Sequence, residues 1–331
     1  MAERELRWQV VDGSESATQP ALFDVPEREI GTGEFRGLEF LHVRARTIIN
    51  KVGPKSRVPF QYTINAYRGC SHACSYCFAR PTHEYLNLDP GRDFDRVIVV
   101  KMNAVEKLRA ELAPRRWRGQ HIAMGTNTDP YQRAEGKYRL TQGIIDALGE
   151  ARNPFSILTK GTLVLRDLDR LVAAARRTTV ELCFSIGTLD EDVWRATEPG
   201  TPHPRKRVEA VARLNDAGIP CGVLVAPILP GLSDRRDQLD EVVRACVEAG
   251  APSISPVLLH LRPGVKEHYL GWLADAYPEL LEGHQQLYPG SYAPAHERDR
   301  VTQVVRDLVA SHRTRAGPTA SPRLSSRFDP A

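Results

Sequence analysis

The apolar positions of this chain fall into short runs separated by longer, periodic segments. Seven runs have the length and composition of strands, with Val, Ile, Leu and Phe prominent. They are TINAY (63–67), RVIVVKM (96–102), HIAMGT (121–126), FSILTK (155–160), VELCFSIG (180–187), CGVLVAPI (221–228) and SISPVLL (253–259). We predict a strand for each run.

Between the runs, apolar residues recur at the 3.6-residue spacing of helices. The predicted helices are AVEKLRAEL (104–112), TQGIIDALGEA (141–151), LRDLDRLVAAARR (165–177), KRVEAVARLNDAG (206–218) and DQLDEVVRACVEAG (237–250). Two of them end at Gly218 and Gly250, which is typical of a helix C-terminus. This alternation predicts an α/β fold with a parallel sheet, either open and doubly wound or curled towards a barrel.

The two ends of the chain lack this alternation. Residues 1–36 are polar with little periodicity, and residues 313–331 are rich in Pro, Ser and Arg. We expect both to be flexible because they have little to bury. We interpret the rest as a lead-in segment packing on the core (37–55), one core domain (56–296) and a C-terminal helix (297–312).

Composition changes this picture little. The hydrophobic fraction of 41% and the charged fraction of 26% are ordinary for a globular enzyme. No apolar run approaches the roughly 18 residues of a membrane span, so we expect no membrane partner. The N-terminus, MAERELRWQVVDGSE, shows no secretory signal, and we expect a cytoplasmic protein with reduced thiols. The net charge of +4 permits contact with nucleic acid without arguing for it.

Candidate chemistry collects where the predicted strands end. Three of the six cysteines crowd into NAYRGCSHACSYCFAR (65–80), directly after the first strand. NTDPYQRAE follows HIAMGT, Lys160 ends FSILTK, and Ser185 closes VELCFS. Barrels and open parallel sheets both place their sites at the C-terminal strand ends. In a chain of this kind, crowded cysteines indicate metal or redox chemistry more than disulfides.

The pattern CxxxCxxC, formed by Cys70, Cys74 and Cys77, leaves three interpretations open. A structural zinc site needs four ligands, usually in two paired elements; no second pair is present, although His72 or His83 could supply the fourth ligand. A thioredoxin-like pair leaves one cysteine unexplained. A [4Fe–4S] cluster with three cysteine ligands leaves one iron open to a small molecule, and catalysis would use such an open position.

With the aromatic Tyr76 before the last cysteine, this pattern resembles the motif of radical S-adenosylmethionine (radical SAM) enzymes. The resemblance covers about residues 56–296, in particular with the branch related to spore photoproduct lyase. It implies a partial (β/α)6 barrel with a mostly parallel sheet, and a [4Fe–4S] cluster whose open iron chelates S-adenosylmethionine. It further implies that an electron from the cluster yields methionine and a 5′-deoxyadenosyl radical, which abstracts hydrogen from a substrate.

The same resemblance assigns roles to particular side chains. Cys70, Cys74 and Cys77 match the cluster ligands, and Tyr76 matches the aromatic beside the adenine. Lys160 resembles the lysine that meets the carboxylate of the cofactor.

Other strand-end residues complete this expected site. Ser185 resembles the residue that hydrogen-bonds the ribose, and Thr128 and Asp129 are expected to hold the methionyl end. Glu135 and Glu198 are second-tier candidates for polar contacts. Residues 221–234 are expected to pack on the adenine, with Pro227 or Ile228 as an apolar wall.

Each residue also has an ordinary interpretation. A strand-end lysine is usually a solvated charge, and a serine there is usually a turn residue. Asp129 before Pro130 and Glu198 before Pro199 are typical loop openers. The joint placement of these residues after successive strands favours the site.

The remaining cysteines, Cys183, Cys221 and Cys246, lie in apolar segments and are interpreted as buried small hydrophobes. We therefore expect one cluster. The resemblance departs at Thr126, where spore photoproduct lyase uses a cysteine hydrogen donor. A threonine O–H bond is too strong for that part, so thymine-dimer repair is in doubt.

Two functions compete with the radical SAM interpretation. An iron–sulfur electron-transfer or sensing protein needs no carboxylate-binding lysine and more often has four cysteines. A zinc-stabilised nucleic-acid-binding module is favoured only by the mild basicity. The preferred interpretation implies a reductant such as flavodoxin or ferredoxin; it leaves the substrate unidentified, with nucleic acid as one candidate, and identifies no catalytic side chain.

Overall fold

The centre of the protein is formed by strands that largely follow one another in chain order. The structure is a computed structural model, and it describes residues 27–53, 56 and 58–316. The strands are β1 (Glu27–Ile30), β2 (Glu39–Val43), β3 (Ile49–Lys51), β4 (Tyr62–Ile64), β5 (Tyr67–Arg68), β6 (Val97–Lys101), β7 (Ile122–Met124), β8 (Phe155–Thr159), β9 (Val180–Ser185), β10 (Cys221–Ile228) and β11 (Ile254–Leu258).

The central sheet has seven strands in the order β11-β10-β9-β8-β7-β4-β3. From β4 to β11 every neighbouring pair is parallel, and β3 joins β4 as an antiparallel edge. The parallel order never reverses, whereas a doubly wound sheet reverses at its switch point. This confirms the α/β class and the mostly parallel sheet, and the arrangement agrees with a partial barrel.

Helices cover the sheet between its strands. They are α1 (Ala104–Leu112), α2 (Arg133–Tyr138), α3 (Leu140–Glu150), α4 (Leu168–Ala175), α5 (Glu191–Thr197), α6 (Pro204–Asp216), α7 (Arg236–Glu248), α8 (Val265–Ala276), α9 (Leu281–Leu287) and α10 (Ala295–Ala316). Short 3-10 helices span Gly33–Phe35, Arg80–Leu86, Thr162–Asp167 and Pro278–Leu280. All five predicted helices are present, and Gly218 and Gly250 follow their helices with φ of +79° and +73°.

One predicted strand lies wholly in a second sheet, and the predicted strand TINAY is divided between β4 of the central sheet and β5 of the second. RVIVVKM forms β6, but β6 belongs to a second sheet of order β1-β2-β6-β5, where it runs parallel to β2 and antiparallel to β5. The apolar pattern of β6 is the same whichever sheet buries it, so the pattern does not identify its neighbours.

The prediction that residues 1–36 are flexible is wrong for the last ten of them, residues 27–36. Glu27–Ile30 pairs with β2 along its whole length, and Glu29 forms an ion pair with Lys137 and accepts a hydrogen bond from Tyr138 at 3.2 Å. The partners in these contacts are far apart in sequence, so the local composition of residues 27–36 does not predict them. Residues 1–26 lie outside the described residues.

The C-terminal helix is longer than the predicted 297–312. It begins at Ala295 and runs to Ala316, so the first residues of the expected tail are helical. Arg313 is anchored by hydrogen bonds to the carbonyls of Ala251 and Pro252 at 3.2 and 2.8 Å. The tail beyond Ala316 lies outside the described residues. Across the described chain, no helix combines the length and apolarity needed to cross a bilayer.

Candidate functional site

A cavity opens where the central strands end, on the side of their C-termini. It gathers side chains from the loop after β5 and from the ends of β7, β8 and β9. Eight of the predicted binding residues line it: Cys70, Cys74, Cys77, Tyr76, Thr128, Asp129, Lys160 and Ser185. Residues distant in sequence therefore meet in one place, as the strand-end argument predicted.

The cysteine loop leaves β5 through a tightly enclosed glycine. Gly69 has φ of +82°, and a Cβ there would lie 2.8 Å from the carbonyl oxygens of both Phe94 and Val97. Only glycine fits this combination of conformation and space. The loop is then held by its own backbone: Cys70 N–H donates to the Phe94 carbonyl at 2.9 Å, and Ser75 N–H donates to the Thr197 carbonyl at 3.0 Å.

The three thiols of the loop are shielded from water. Cys70 and Cys74 are buried, and Cys77 is half-buried. Burial raises the pKa of the Cys74 thiol to about 12, and the nearby Glu198 carboxylate adds to the rise. Burial also raises the pKa of Cys70 and of Cys77. Without a metal centre these thiols are neutral, and a centre that binds them must displace their protons.

The donor set fits an iron–sulfur cluster. Among the described residues, no three His, Cys, Asp or Glu side chains are gathered closely enough to hold a single metal ion. A [4Fe–4S] cluster takes each thiolate on a different iron, so its ligands do not converge on one point. Three thiols around one cavity, with no fourth cysteine lining it, match a cluster that keeps one iron open.

Arg80 stabilises this loop through hydrogen bonds to its backbone, a role that the sequence analysis did not predict. Its guanidinium is buried and donates to the Cys74 carbonyl at 3.2 and 3.1 Å. It also donates to the Gly91 carbonyl at 2.9 Å and to Asp95 at 3.1 Å. A single arginine three residues after the motif gives no sequence signal of this role.

Lys160 extends from the end of β8 into the cavity. Its ammonium donates to the Ser185 hydroxyl, lies 3.3 Å from Glu198 Oε1, and lies 3.4 Å from the Ala226 carbonyl oxygen. It also stands 5.7 Å from the centre of the Tyr76 ring. Lys160 therefore lies next to both the serine and the tyrosine that are predicted to bind the same cofactor.

Glu198 does not line the cavity but lies behind Tyr76 and Lys160. It accepts hydrogen bonds from the Tyr76 hydroxyl and from the buried guanidinium of Arg207. Burial would raise the pKa of Glu198, but Arg207 and Lys160 outweigh it and lower the pKa to about 2. The carboxylate stays ionised and fixes the two cavity residues in front of it. Arg207, on α6, was not predicted.

Asp129 connects the cysteine loop to β8. Its Oδ1 accepts from Thr159 Oγ1 at 2.6 Å, and its Oδ2 accepts from the Lys160 backbone N–H at 2.7 Å. The ring of His72, inside the cysteine motif, lies 3.3 Å from the same Oδ2. Burial would raise the pKa of Asp129, but His72 and these hydrogen bonds lower it. The carboxylate is thus occupied by protein groups.

Thr128 is also engaged by the protein. Its hydroxyl donates to the Gly69 carbonyl at 2.6 Å and accepts from Gln132 Nε2 at 2.8 Å. Gln132 donates to the same carbonyl and accepts from the Ser71 N–H, both at 2.9 Å. Threonine and glutamine together hold the entrance to the cysteine loop. Thr126 lines the cavity beside Asn65, within 3.4 Å of its side chain.

Of three further predicted residues, one lines the cavity and two are buried away from it. Glu135 does not line the cavity: it accepts from Tyr67 at 2.5 Å and from Arg166 at 2.9 Å in a buried network. Pro227 lines the cavity, whereas its neighbour Ile228 is fully buried in the core. Ala226 lines the cavity as well, and the pairing of β10 with β11 is irregular between Val225 and Ile228, so regular strand alternation does not extend through this segment.

The other three cysteines lie in the hydrophobic interior. Cys183, Cys221 and Cys246 are at most 1% exposed. Burial raises the pKa of Cys183 and of Cys246 to about 12. None of the three lines the cavity, and their interpretation as buried hydrophobes is confirmed.

Comparison with known sequences assigns the region that contains the cysteine motif to a family. The family model described as "Radical SAM superfamily" matches residues 64–246. Rv2578c of Mycobacterium tuberculosis is 45% identical over 287 residues, which are 86% of this chain and 84% of that protein. MJ0683 of Methanocaldococcus jannaschii is 30% identical over 198 residues, 60% of this chain and 70% of that protein. Both relatives are described as uncharacterized.

Comparison with solved structures gives the same fold. Spore photoproduct lyase complexed with dinucleoside spore photoproduct aligns with a TM-score of 0.61 at 17% identity, covering 82% of this chain and 79% of that one. A mutant of this lyase with bound AdoMet and the same dinucleoside aligns with a TM-score of 0.60 at 18% identity, covering 82% and 78%. At these identities the likeness shows a shared architecture.

Proposed function

Because this chain belongs to the radical SAM superfamily and is an enzyme, we propose that Cys70, Cys74 and Cys77 hold a [4Fe–4S] cluster whose open iron binds S-adenosylmethionine. When bound and reduced, this pair supplies methionine and a 5′-deoxyadenosyl radical that abstracts hydrogen from a substrate. The observation that carries the proposal is the meeting of the three motif thiols and the Lys160 ammonium at one cavity.

Lys160 is suited to bind the carboxylate of S-adenosylmethionine. Its contacts with Glu198 and Ala226 are 3.3 and 3.4 Å long, whereas a strong charge-assisted hydrogen bond is about 2.7–2.9 Å. The ammonium can therefore exchange these two longer contacts for a closer anion while it still donates to the Ser185 hydroxyl. The Ser185 hydroxyl, which donates to the Ala226 carbonyl at 2.6 Å, is the polar group beside it for the ribose.

Tyr76 and the end of β10 suit the adenine. The Tyr76 ring lines the cavity while its hydroxyl is tied to Glu198 behind, so the ring plane is fixed before a ligand arrives. Pro227 and Leu224 line the cavity from β10, and Leu259 follows β11. A planar, partly apolar ring system fits between such walls.

Asp129 and Thr128 are assigned a different part from the one first expected. Both side chains are engaged by protein groups, and both connect the cysteine loop to the neighbouring strand ends. We assign to both residues the role of positioning the cysteine loop.

The proposed function also requires a reductant, such as flavodoxin or ferredoxin, to supply the electron. We propose that the enzyme acts in the cytoplasm and not at a membrane.

The competing function is a cluster that only carries electrons. The two differ in whether a cluster iron accepts S-adenosylmethionine. The test is electron paramagnetic resonance of the anaerobically reconstituted, dithionite-reduced protein, recorded with and without S-adenosylmethionine. A ligand bound at an iron changes the g-values, as the proposal requires. Identical spectra would favour the electron carrier.

A further inference from the structure

Three aromatic rings lead outwards from the cavity. Phe78 and His260 both line it, and their ring centres are 6.1 Å apart with planes tilted by 32°. His260 stacks on Tyr292, with ring centres 5.6 Å apart and planes within 20°. We call Phe78, His260 and Tyr292 the aromatic ladder. It joins the reaction cavity to the protein surface.

The backbone holds the outer half of this ladder in register. His260 and Tyr292 form an antiparallel bridge, and the Leu261 N–H donates to the Ser291 carbonyl at 2.7 Å. The flanking residues Leu261 and Ala293 are buried, so they anchor both segments. The stacked rings are thus set by main-chain pairing before any ligand arrives.

Core packing does not explain the exposed ends of the ladder. Tyr292 is 62% exposed and Phe78 is 36% exposed. Single exposed aromatics are common on protein surfaces, whereas contiguous exposed apolar groups mark binding sites, and this stacked series is continuous with a cavity. Burial also lowers the pKa of His260, with help from Arg262, so the imidazole presents an uncharged face.

Positive charge accompanies the ladder. The Arg298 guanidinium lies 5.9 Å from the Tyr292 ring centre, and Arg262 follows His260 by two residues. Within the described part of the chain, neither guanidinium has a carboxylate partner. Arginines that lie beside aromatic faces are a recurring arrangement for phosphate and base together.

From these contacts we propose that the aromatic ladder binds the unpaired bases of a single-stranded nucleic acid and delivers one of them to the cavity. The proposal rests on the proposed radical SAM function and names its substrate class. One base stacks against Phe78 at the cavity, and a neighbouring base lies against Tyr292, where Arg298 now sits. Arg298 and Arg262 meet the phosphates. A free nucleotide would need one ring, whereas a strand uses the series of three.

The test is fluorescence anisotropy with the anaerobically reconstituted full chain. The probe is a fluorescein-labelled oligothymidylate of about 12 nucleotides, within the site size of single-strand binders. A blunt duplex of equal length and thymidine monophosphate serve as competitors. The variants are Tyr292→Ala, Tyr292→Phe and Phe78→Leu. Tyr85→Ala is the matched control, because Tyr85 is 66% exposed and stacks on none of the ladder rings.

The expected result follows from stacking. Tyr292→Ala and Phe78→Leu should weaken oligonucleotide binding, the alanine variant by about tenfold, while Tyr292→Phe and Tyr85→Ala bind like the wild type. Arg298→Gln should lower the slope of log K against log salt by about 0.7, the value for one phosphate of a single strand. Excess monophosphate should compete poorly, and so should the duplex.

Other outcomes would overturn the proposal. These are no oligonucleotide binding by the wild type, equal binding by Tyr292→Ala, or equal competition by the monophosphate or the duplex. Equilibrium dialysis of S-adenosylmethionine adds one more: if Phe78→Leu and Tyr292→Ala lose that ligand instead, the ladder belongs to the cofactor pocket. If the wild type cleaves S-adenosylmethionine but binds no oligonucleotide, only the proposal for the aromatic ladder is refuted. If it fails to cleave S-adenosylmethionine, the proposed function is refuted.

Discussion

The Lys160 ammonium lies 3.3 Å from the Glu198 carboxylate at the wall of the cavity that holds the three motif cysteines. Glu198 is also bound by Tyr76 and by the buried Arg207. One carboxylate therefore holds the two cavity residues proposed to contact opposite ends of S-adenosylmethionine. Glu198 is a positioning residue, and its charge balances two cations in a place with little water.

Removing the Lys160 ammonium should weaken cofactor binding without removing the cluster. Lys160→Ala deletes a charged donor to the cofactor carboxylate, an interaction whose loss lowers affinity by about tenfold or more. We expect the dissociation constant of S-adenosylmethionine, measured by equilibrium dialysis, to rise accordingly while the cluster absorbance is retained. An unchanged dissociation constant would contradict the carboxylate role.

Neutralising Glu198 should destabilise the fold. Glu198→Gln leaves the buried Arg207 guanidinium without its counterion, which costs about 3 kcal/mol or more in the free energy of unfolding. The matched control is Glu150→Gln, because Glu150 pairs with Arg109 on the surface and such pairs contribute less than about 1 kcal/mol. Urea unfolding measures both. Similar losses in the two variants would show that the Glu198 pair is not specially coupled.

The same carboxylate predicts an acid dependence of stability. The pKa of Glu198 is about 2 in the folded chain against an ordinary value of 4.5, so the unfolded chain binds its proton first as the pH falls. Its contribution, about 3 kcal/mol, is complete above pH 4.5 and is lost as the pH falls towards 2. Unfolding of the cluster-free protein between pH 6 and pH 2 should therefore be less pH-dependent in Glu198→Gln. Parallel curves would refute this assignment.

Asp129 should control the cysteine loop although it is not a cluster ligand. Asp129→Asn removes the anion beside His72 and weakens the tie to Thr159 and Lys160. Misplacing such supporting groups typically costs about 10- to 100-fold in metal affinity. We expect less iron and sulfide per chain after reconstitution. Asp146→Asn, which alters only a surface pair with Arg170, should load fully; equal loading of both variants would exclude this role.

Sequence reasoning predicted which side chains meet at the cavity because they follow successive strands. Cys70, Asp129, Lys160 and Ser185 each follow a separate apolar run, and parallel strands bring such ends together. The same reasoning predicted the five helices from their apolar spacing. These features depend on local patterns that a single sequence contains.

The features that were missed depend on partners distant in sequence. Nothing near Arg207 indicates that it pairs with Glu198. Likewise, nothing in RVIVVKM shows that it joins β2 in a second sheet. The family resemblance led us to expect cofactor contacts from Asp129 and, as a second-tier candidate, from Glu198. The structure places protein donors on both carboxylates, and these donors are distant in sequence.

The most direct test of the central claim is the amount of 5′-deoxyadenosine formed from S-adenosylmethionine by the anaerobically reconstituted, dithionite-reduced protein. Chromatography should find it with the wild type and with Cys246→Ala, whose altered thiol is buried away from the cavity. Cys74→Ala should lose both the product and the visible cluster absorbance. No product from a fully loaded wild type, or equal product from Cys74→Ala, would contradict the account.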